Sequence, residues 1–161
     1  MMPDPTVNAV VIERRIAATP DLVWQMWTQP EHFAAWYGPA GASITVAEMD
    51  LRVGGRRHIR MEMDTPNGPM QMWFVGEHLE LDRPSRLVYT ESISNEAGDI
   101  LDPADMGMPA DHPSVTRISV DIAGHDGGTT LVLTHAGIPA DSPGAMGWNM
   151  ALDKLEARLV G

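Results

Sequence analysis

The sequence lacks cysteine and carries few basic residues. With no cysteine among 161 residues, disulfide bridges, thiolate metal sites and a cysteine nucleophile are all excluded. Lysine and arginine number 11 against 22 aspartate and glutamate residues, which gives a formal net charge of -11. A field of this sign repels phosphate backbones and anionic lipid headgroups, so we expect neither nucleic-acid nor membrane binding.

Long apolar runs, repeats and targeting signals are also absent. No apolar run approaches the ~20 residues that a membrane-spanning helix needs. Residues 1–7 are polar and acidic and lack a basic region followed by an apolar core, so we expect no signal peptide and a cytoplasmic location. With no internal repeat and no convincing domain boundary, we predict one domain over residues 1–161, with a core from about residue 7 to residue 160.

Signature motifs of cofactor and metal sites are missing as well. There is no nucleophile elbow, no phosphate loop and no dinucleotide fingerprint. The histidines are dispersed without the spacing of a metal site, and we predict no metal and no cofactor. These histidines are His32, His58, His78, His112, His125 and His135.

The first part of the chain predicts a strand and two short helices. Residues 7–16 are apolar and β-branched, which is typical of a strand. Thr19 can cap a helix that begins at Pro20, and a second helix starts near Thr28 and ends at Gly38.

The rest of the chain alternates polar and apolar residues as a β-sheet does. We predict strands over residues 43–49, 57–63, 70–80, 86–94, 115–123 and 129–136. A final helix starts at residues 141–143 and has an apolar face. That face consists of Trp148, Leu152, Leu155 and Leu159. Because helices and strands are segregated along the chain, the fold class is α+β.

Residues 95–114 are long for a structureless loop in a compact domain. We expect a lid, a binding loop or a disordered segment there. Met106 and Met108 within it would be exposed to partners.

Seven short motifs carry a family resemblance and follow one another in the family's order. They are Arg15-Ile16-Ala17-Ala18-Thr19-Pro20, Val23-Trp24 with Trp27-Thr28-Gln29-Pro30-Glu31, Trp36-Tyr37-Gly38-Pro39, Asp50-Leu51-Arg52-Val53-Gly54-Gly55, Arg86-Leu87-Val88-Tyr89-Thr90, Gly127-Gly128-Thr129-Thr130-Leu131 and Gly147-Trp148. With the order of elements, they make the chain resemble the START-like superfamily, also called SRPBCC. Within it, the chain is most similar to bacterial homologues of the activator of the heat-shock-ninety chaperone ATPase.

The resemblance implies a helix-grip (Bet v-type) fold. In that fold a curved antiparallel sheet of about seven strands wraps around a long C-terminal helix, and two short helices follow the first strand. The helix closes a cavity over the concave sheet. Members include lipid carriers, hormone receptors, polyketide cyclases and a chaperone regulator, so the fold alone does not give the function.

We predict that the cavity binds a small hydrophobic or aromatic molecule. Twelve methionines and five tryptophans suit an adaptable apolar lining, although such residues also pack ordinary cores. In the strand over residues 70–80, Trp73 and Val75 share one face while Met72 and Phe74 share the other. The sequence leaves open which pair faces inward, and we choose Trp73 and Val75 as the ligand-binding candidates. The predicted ligand-binding residues are Trp36, Ile59, Met61, Met63, Trp73, Val75, Tyr89, Trp148 and Leu152.

Two local motifs have competing interpretations. Residues 36–39 either seat the ring of a ligand or wedge the two short helices under the sheet. Residues 50–55 look functional, but we interpret them as structural: the glycines form a turn, and Asp50 pairs with Arg52 at the end of the sheet.

An enzyme of the polyketide cyclase, dehydratase or hydrolase type is a second hypothesis. A carboxyl or imidazole group inside an apolar cavity has a shifted pKa and can transfer a proton. The candidate catalytic residues are Glu77, Tyr89, Glu91 and His135. His78 is a further candidate, but Glu77 and His78 cannot both face the cavity, because neighbouring residues of a strand point to opposite faces.

The third hypothesis is a protein-interaction module, either a chaperone regulator or a homodimer without a ligand.

Overall fold

The computed structural model describes residues 9–106, 113–138 and 143–160. The elements in chain order are β1 (Ala9–Ile16), α1 (Pro20–Thr28), α2 (Pro30–Trp36), β2 (Ser43–Met49), β3 (Arg56–Thr65), β4 (Gly68–Asp82), β5 (Arg86–Ser94), β6 (Thr116–His125), β7 (Gly128–Ala136) and α3 (Pro143–Val160). A short 3₁₀ turn covers Pro103–Met106. This order confirms the predicted strand, two helices, six strands and final helix.

All seven strands form one antiparallel sheet in the order β1-β7-β6-β5-β4-β3-β2. Strands β2 to β7 follow one another as a meander, and β1 closes the far edge beside β7. The sheet is curved and holds α3 on its concave side, which confirms the helix-grip fold. No helix within the described ranges is both long and apolar enough to cross a bilayer.

The hydrophobic core lies between the concave face of the sheet and the three helices. Its largest members from the sheet are Ile59, Leu87, Tyr89, Ile118, Leu131 and Leu133. The helices contribute Trp24, Trp27, Phe33, Trp36, Leu152 and Leu155. Because each of these side chains is 5% exposed or less, the core is continuous under both the short helices and α3.

The start of α1 and the turn between β2 and β3 are determined by local sequence signals. The Thr19 hydroxyl accepts a hydrogen bond from the amide of Leu22, and Pro20 occupies the first turn of α1. Between β2 and β3, Gly54 has a φ of +83°, and the Arg52 guanidinium donates to the Asp50 carboxylate at 2.7 Å. The structural interpretation of residues 50–55 is therefore confirmed.

The pairing of β3 with β4 corrects the predicted inward face of β4. Met61 lies opposite Met72 and Ile59 opposite Phe74. Because directly opposed residues point to the same face of a sheet, Met72 and Phe74 face the concave side.

Trp73 and Val75 therefore lie on the convex side, and their predicted inward position is wrong. There the ring of Trp73 packs against that of His58, with centroids 4.8 Å apart. The β3–β4 connection has two residues, Pro66 and Asn67, since Thr65 pairs with Gly68. A two-residue loop of this kind sets the even-numbered residues of β4 opposite the odd-numbered residues of β3, a constraint that the prediction did not apply.

The segment 95–114 is folded in its first part. The Asn95 side chain bonds the amide and the carboxylate of Asp99, and Ile100 forms an isolated bridge to Ser94. Residues 95–106 are therefore attached to the end of β5 and do not form a free loop. Met108 lies outside the described residues.

Arg14 joins the edge of the sheet to α3. It lies opposite Leu131 on the concave side of β1. Its guanidinium donates to Asp153 at 2.8 Å, to the side-chain oxygen of Asn149 at 2.9 Å and to Glu156. One planar cation thus bonds three successive turns of the same helix.

Replacing Arg14 should loosen α3. We expect Arg14→Met, which keeps the apolar stem, to lower the free energy of unfolding by about 1–2 kcal/mol, because several charge-assisted hydrogen bonds are lost together. Urea denaturation measures the change. Arg15→Met is the matched control, since it removes the same charge from an exposed neighbour on the same strand. Equal effects of the two substitutions would show that Arg14 does not fasten α3.

Candidate functional site

A cavity of about 460 Å³ lies between the concave sheet and the N-terminal half of α3. This volume falls in the range of small-molecule sites, ~300–1,000 Å³. Most of its wall is apolar, and the main side chains are Met61, Met72, Phe74, Ile138, Trp148 and Met150. Three polar side chains also reach it, namely Tyr37, Glu91 and His135.

Glycines in α3 keep the roof of the cavity open. Gly144 and Gly147 both lie in the wall. A Cβ atom added at Gly147 would meet no atom within 4 Å, so the missing side chain leaves empty space. Each glycine costs a helix about 1 kcal/mol relative to alanine. The first turns of α3, which cover the cavity, are therefore less stable as a helix than they would be with alanine at these two positions.

The segment that follows α2 forms another wall. Tyr37, Gly38 and Pro39 line the cavity, and Gly38 takes a φ of +82° that lets the chain turn there. The Lys154 ammonium group of α3 donates to the carbonyl oxygens of Tyr37 and Pro39 at 3.3 and 3.2 Å. Trp36 instead points into the core and donates to the Met26 carbonyl at 2.7 Å. The two interpretations of residues 36–39 thus apply to different residues: Trp36 packs and the other three line the cavity.

A chain of hydrogen bonds connects the core to the cavity wall. The hydroxyl groups of Tyr89 and Tyr37 are 2.9 Å apart, and Tyr37 donates to the Glu91 carboxylate at 2.7 Å. Because Tyr37 uses its only proton on Glu91, Tyr89 must be the donor in the first bond. Tyr89 and Glu91 alternate on β5, so both side chains lie on the concave side, as the sequence predicted. We call Arg57, Tyr89, Tyr37 and Glu91 the buried polar chain.

Arg57 begins this chain. It is 2% exposed, and its guanidinium lies over the Tyr89 ring with 3.6 Å from Cζ to the centroid. The Phe33 ring lies 5.1 Å from the same Cζ. Within the described parts of the chain, its buried Nε atom has no hydrogen-bond partner. The attraction between a cation and a π-system therefore contributes to the stabilisation of Arg57.

Sequence reasoning missed Arg57, although a signal was present. Arg57 has the same strand phase as Ile59, Met61 and Met63, which were predicted to face inward. An arginine at an inward position of such a strand is unusual, because buried charges need a partner. Because Arg57 shares a strand face with these inward residues, the sequence indicated a buried cation.

Burial and charge oppose each other at Glu91. Burial raises the pKa of the Glu91 carboxyl, while the Arg57 cation and the Tyr37 hydrogen bond lower it; the net pKa is above the ordinary value. Burial, and after it the negative charge of Glu91, raises the pKa of Tyr37 well above 10. Tyr37 thus stays protonated and remains a hydrogen-bond donor to Glu91.

His135 belongs to a second hydrogen-bonded chain. The Trp148 indole donates to His135 Nδ1 at 2.8 Å, and His135 Nε2 lies 2.8 Å from the Thr116 hydroxyl. Thr116 donates in turn to the backbone carbonyl of Glu91 at 2.9 Å. Since Nδ1 accepts, Nε2 carries the proton, which assigns the tautomer from the network. Trp148 is therefore fixed in the cavity wall.

The structure separates the predicted site residues into three groups. The cavity wall contains Met61, Glu91, His135 and Trp148. The adjacent core contains Trp36, Ile59, Tyr89 and Leu152, which are buried without reaching the wall. Outside both groups lie Met63, which is half-buried, and Trp73, Val75 and Glu77 on the convex side. Which residues contact a ligand stays a prediction.

His78 is buried beside Arg57. Its Nδ1 lies 3.0 Å from the carbonyl oxygen of Asp50, and its Nε2 has no hydrogen-bond partner among the residues that the structure describes. Burial, with the positive charge of Arg57, lowers the pKa of His78 to about 4. The imidazole is therefore neutral near pH 7 and does not add a second charge to this part of the core. Among the described residues, no group of three or more histidine, aspartate or glutamate side chains is placed to hold a metal ion.

Comparison with known proteins gives a family and a fold. The sequence model described as "Activator of Hsp90 ATPase homolog 1-like protein" matches residues 17–160. No curated protein matches the chain.

Similar solved structures come from several bacteria. A crystal structure of a protein from Chromobacterium violaceum has 24% identity and a TM-score of 0.78, covering 96% of this chain and 98% of that one. A solution structure from Staphylococcus epidermidis has 23% identity and a TM-score of 0.75, with 99% and 94% coverage. A crystal structure from Mycobacterium smegmatis has 23% identity and a TM-score of 0.73, with 97% and 93% coverage. At these identities, the likeness shows the fold alone.

The titration of Glu91 tests the electrostatics of the buried polar chain. We expect its pKa, followed by NMR of the side-chain carboxyl carbon, to lie above the ordinary value near 4.3. Tyr37→Phe should raise it further, because a hydrogen bond that favours the ionised form is removed. Ionisation of Glu91 should therefore cost more stability in the variant as the pH rises through that pKa. A Glu91 pKa at or below the ordinary value would contradict this description, as would an unchanged or lower pKa in Tyr37→Phe.

Proposed function

The chain belongs to the family of activator of Hsp90 ATPase homolog 1-like proteins, and we propose that it binds a small hydrophobic or aromatic molecule in the cavity under α3. The observation that carries the proposal is an apolar cavity of about 460 Å³ whose roof is a helix with glycine at the point of cover. Apolar surface in contact with water is unfavourable, and a bound apolar molecule would cover it.

The composition of the wall supports an apolar occupant. Met61, Met72 and Met150 line the cavity, and methionine side chains adapt to different shapes because they are unbranched and polarisable. The rings of Phe74 and Trp148 add flat apolar surfaces. The burial of apolar surface in such a site contributes a favourable free energy of about 25 cal/mol per Å². We propose that this free energy is the main driving force of binding.

Filling the space above the cavity should remove binding. We expect Gly147→Leu to reduce affinity at least tenfold for the neutral dye N-phenyl-1-naphthylamine, because the new side chain projects into the space that the ligand needs. The dye reports binding by its increased emission in an apolar site. The helix should remain intact, since leucine favours a helix more than glycine does. The wild-type protein should bind about one dye per chain in a saturable way.

Met146→Leu is the matched control, because it changes the preceding residue of α3 at a side chain that is 66% exposed. It should leave dye affinity unchanged, and circular dichroism should show both variants folded. A wild-type protein without saturable binding would refute the proposed function. Equal affinities of the wild type and Gly147→Leu would place the binding site elsewhere.

An enzyme that acts on the bound molecule is the second candidate function. Of the predicted catalytic residues, Glu91 combines a place in the cavity wall with a raised pKa and a tyrosine donor, the features of a general acid or base. Glu77 lies exposed on the convex side, and both nitrogens of His135 are engaged by neighbours. Turnover that persisted unchanged in Glu91→Gln would exclude this role.

A further inference from the structure

The polar groups in the cavity wall differ in their remaining capacity for hydrogen bonds. At His135, the Nδ1 lone pair accepts the Trp148 indole proton and the Nε2 proton faces the Thr116 hydroxyl. The Tyr37 hydroxyl donates to Glu91 and accepts from Tyr89. His135 has therefore used both of its ring nitrogens, and Tyr37 has used its only proton.

Glu91 retains an open acceptor. Tyr37 bonds its Oε2 atom, and no donor in the described parts of the chain bonds Oε1. The carboxyl group lies in the wall of the main cavity and also in that of an adjoining cavity of about 120 Å³. Among the described side chains of the wall, Oε1 of Glu91 is thus an acceptor left open to a ligand in the main cavity, and a bond to it would fix the orientation of the ligand.

The charge of Arg57 determines how Glu91 acts. An arginine side chain stays protonated in proteins, so Arg57 is a permanent cation in the core. Among the described residues it forms no direct ion pair, and its charge lowers the pKa of Glu91. Glu91 is accordingly its counter-charge at the other end of the buried polar chain. In its ionised form Glu91 only accepts hydrogen bonds, so a ligand that binds this form is the donor.

The shape and polarity of the wall select among donors. An ammonium group carries three donors and would bury two of them without partners, which is costly in an apolar cavity. A carboxylate or phosphate ligand would be repelled by Glu91 and by the net charge of -11. A phenolic hydroxyl has one donor for one acceptor, and its aromatic ring can pack against Phe74 of the sheet and Trp148 of α3, which both line the cavity.

We propose that the ligand is a hydroxylated aromatic molecule whose hydroxyl group donates a hydrogen bond to Oε1 of Glu91. This inference rests on the proposed function, because it names the chemical class of the molecule that the cavity binds. Glu91 is then the residue that determines specificity, and the hydrogen bond from Tyr37 holds its carboxyl group in place.

Three naphthalene derivatives of similar size test the inference. They are 2-naphthol, 2-methoxynaphthalene and 2-naphthoate, and their dissociation constants follow from displacement of N-phenyl-1-naphthylamine. We expect 2-naphthol to bind about ten to a hundred times more tightly than 2-methoxynaphthalene, the range for a hydrogen bond to a charged group. The anionic 2-naphthoate should bind the least. The preference for naphthol should fade as the pH falls and Glu91 becomes protonated, while naphthol itself stays neutral.

Two isosteric variants separate the role of Glu91 from a general effect of charge. Glu91→Gln keeps the shape but removes the charge, so the preference for 2-naphthol over 2-methoxynaphthalene should fall several-fold. Glu77→Gln makes the same change at an exposed residue of the convex side and should leave the preference unchanged.

The outcomes distinguish this inference from the proposed function. Equal binding of 2-naphthol and 2-methoxynaphthalene in the wild type would overturn the inference and leave an apolar binding site. Tighter binding of 2-naphthoate, or a preference that is unchanged in Glu91→Gln, would also overturn it. Failure of all three compounds to displace the dye, in a protein that binds no dye itself, would overturn the proposed function as well.

Discussion

A buried arginine constrains the arrangement of this protein's interior. Removing a cation from water costs several kcal/mol, and the surroundings must compensate for it. Arg57 is 2% exposed and lies between the rings of Tyr89 and Phe33. Its counter-charge is Glu91, to which Tyr89 and Tyr37 connect through two hydrogen bonds. Helix α2 carries Phe33 and is followed by Tyr37. Its position therefore affects both the ring contact with Arg57 and the hydrogen bond to Glu91.

The cavity lies at the outer end of this arrangement. Most of its wall is apolar, and Glu91, Tyr37 and His135 are the polar side chains that reach it. Under the proposal, an occupant would gain from the burial of apolar area and would be oriented by Glu91. The cover is held from two sides: Arg14 bonds one face of α3, and Lys154 of α3 bonds the segment after α2. These bonds fasten the helix that covers the cavity, and the same helix places Gly144 and Gly147 in the cavity wall.

The fold was predictable because its signals are local and repeated. Thr19 and Pro20 specify the start of α1, alternation specifies the strands, and the motifs carry the family. The site was predictable only in part, since it depends on which face of each strand is inward. Glu91 was among the predicted candidates because it is a carboxyl group on a strand, and it shares a strand face with Tyr89. Arg57 was missed although it lies two residues before Ile59 and therefore points to the same face of β3. Trp73 and Val75 were assigned to the wrong face of β4, because that face depends on the register of the β3–β4 hairpin.

The coupling between Arg57 and Glu91 tests the central claim most directly, that these residues form one charge-balanced unit. The free energies of unfolding of the wild type, Arg57→Met, Glu91→Gln and the double variant form a double-mutant cycle. Each single change leaves the other residue without its compensating charge. We therefore expect the double variant to be about 1–3 kcal/mol more stable than the sum of the single effects predicts. Additivity within about 0.5 kcal/mol would show that the two residues act independently and would contradict the account.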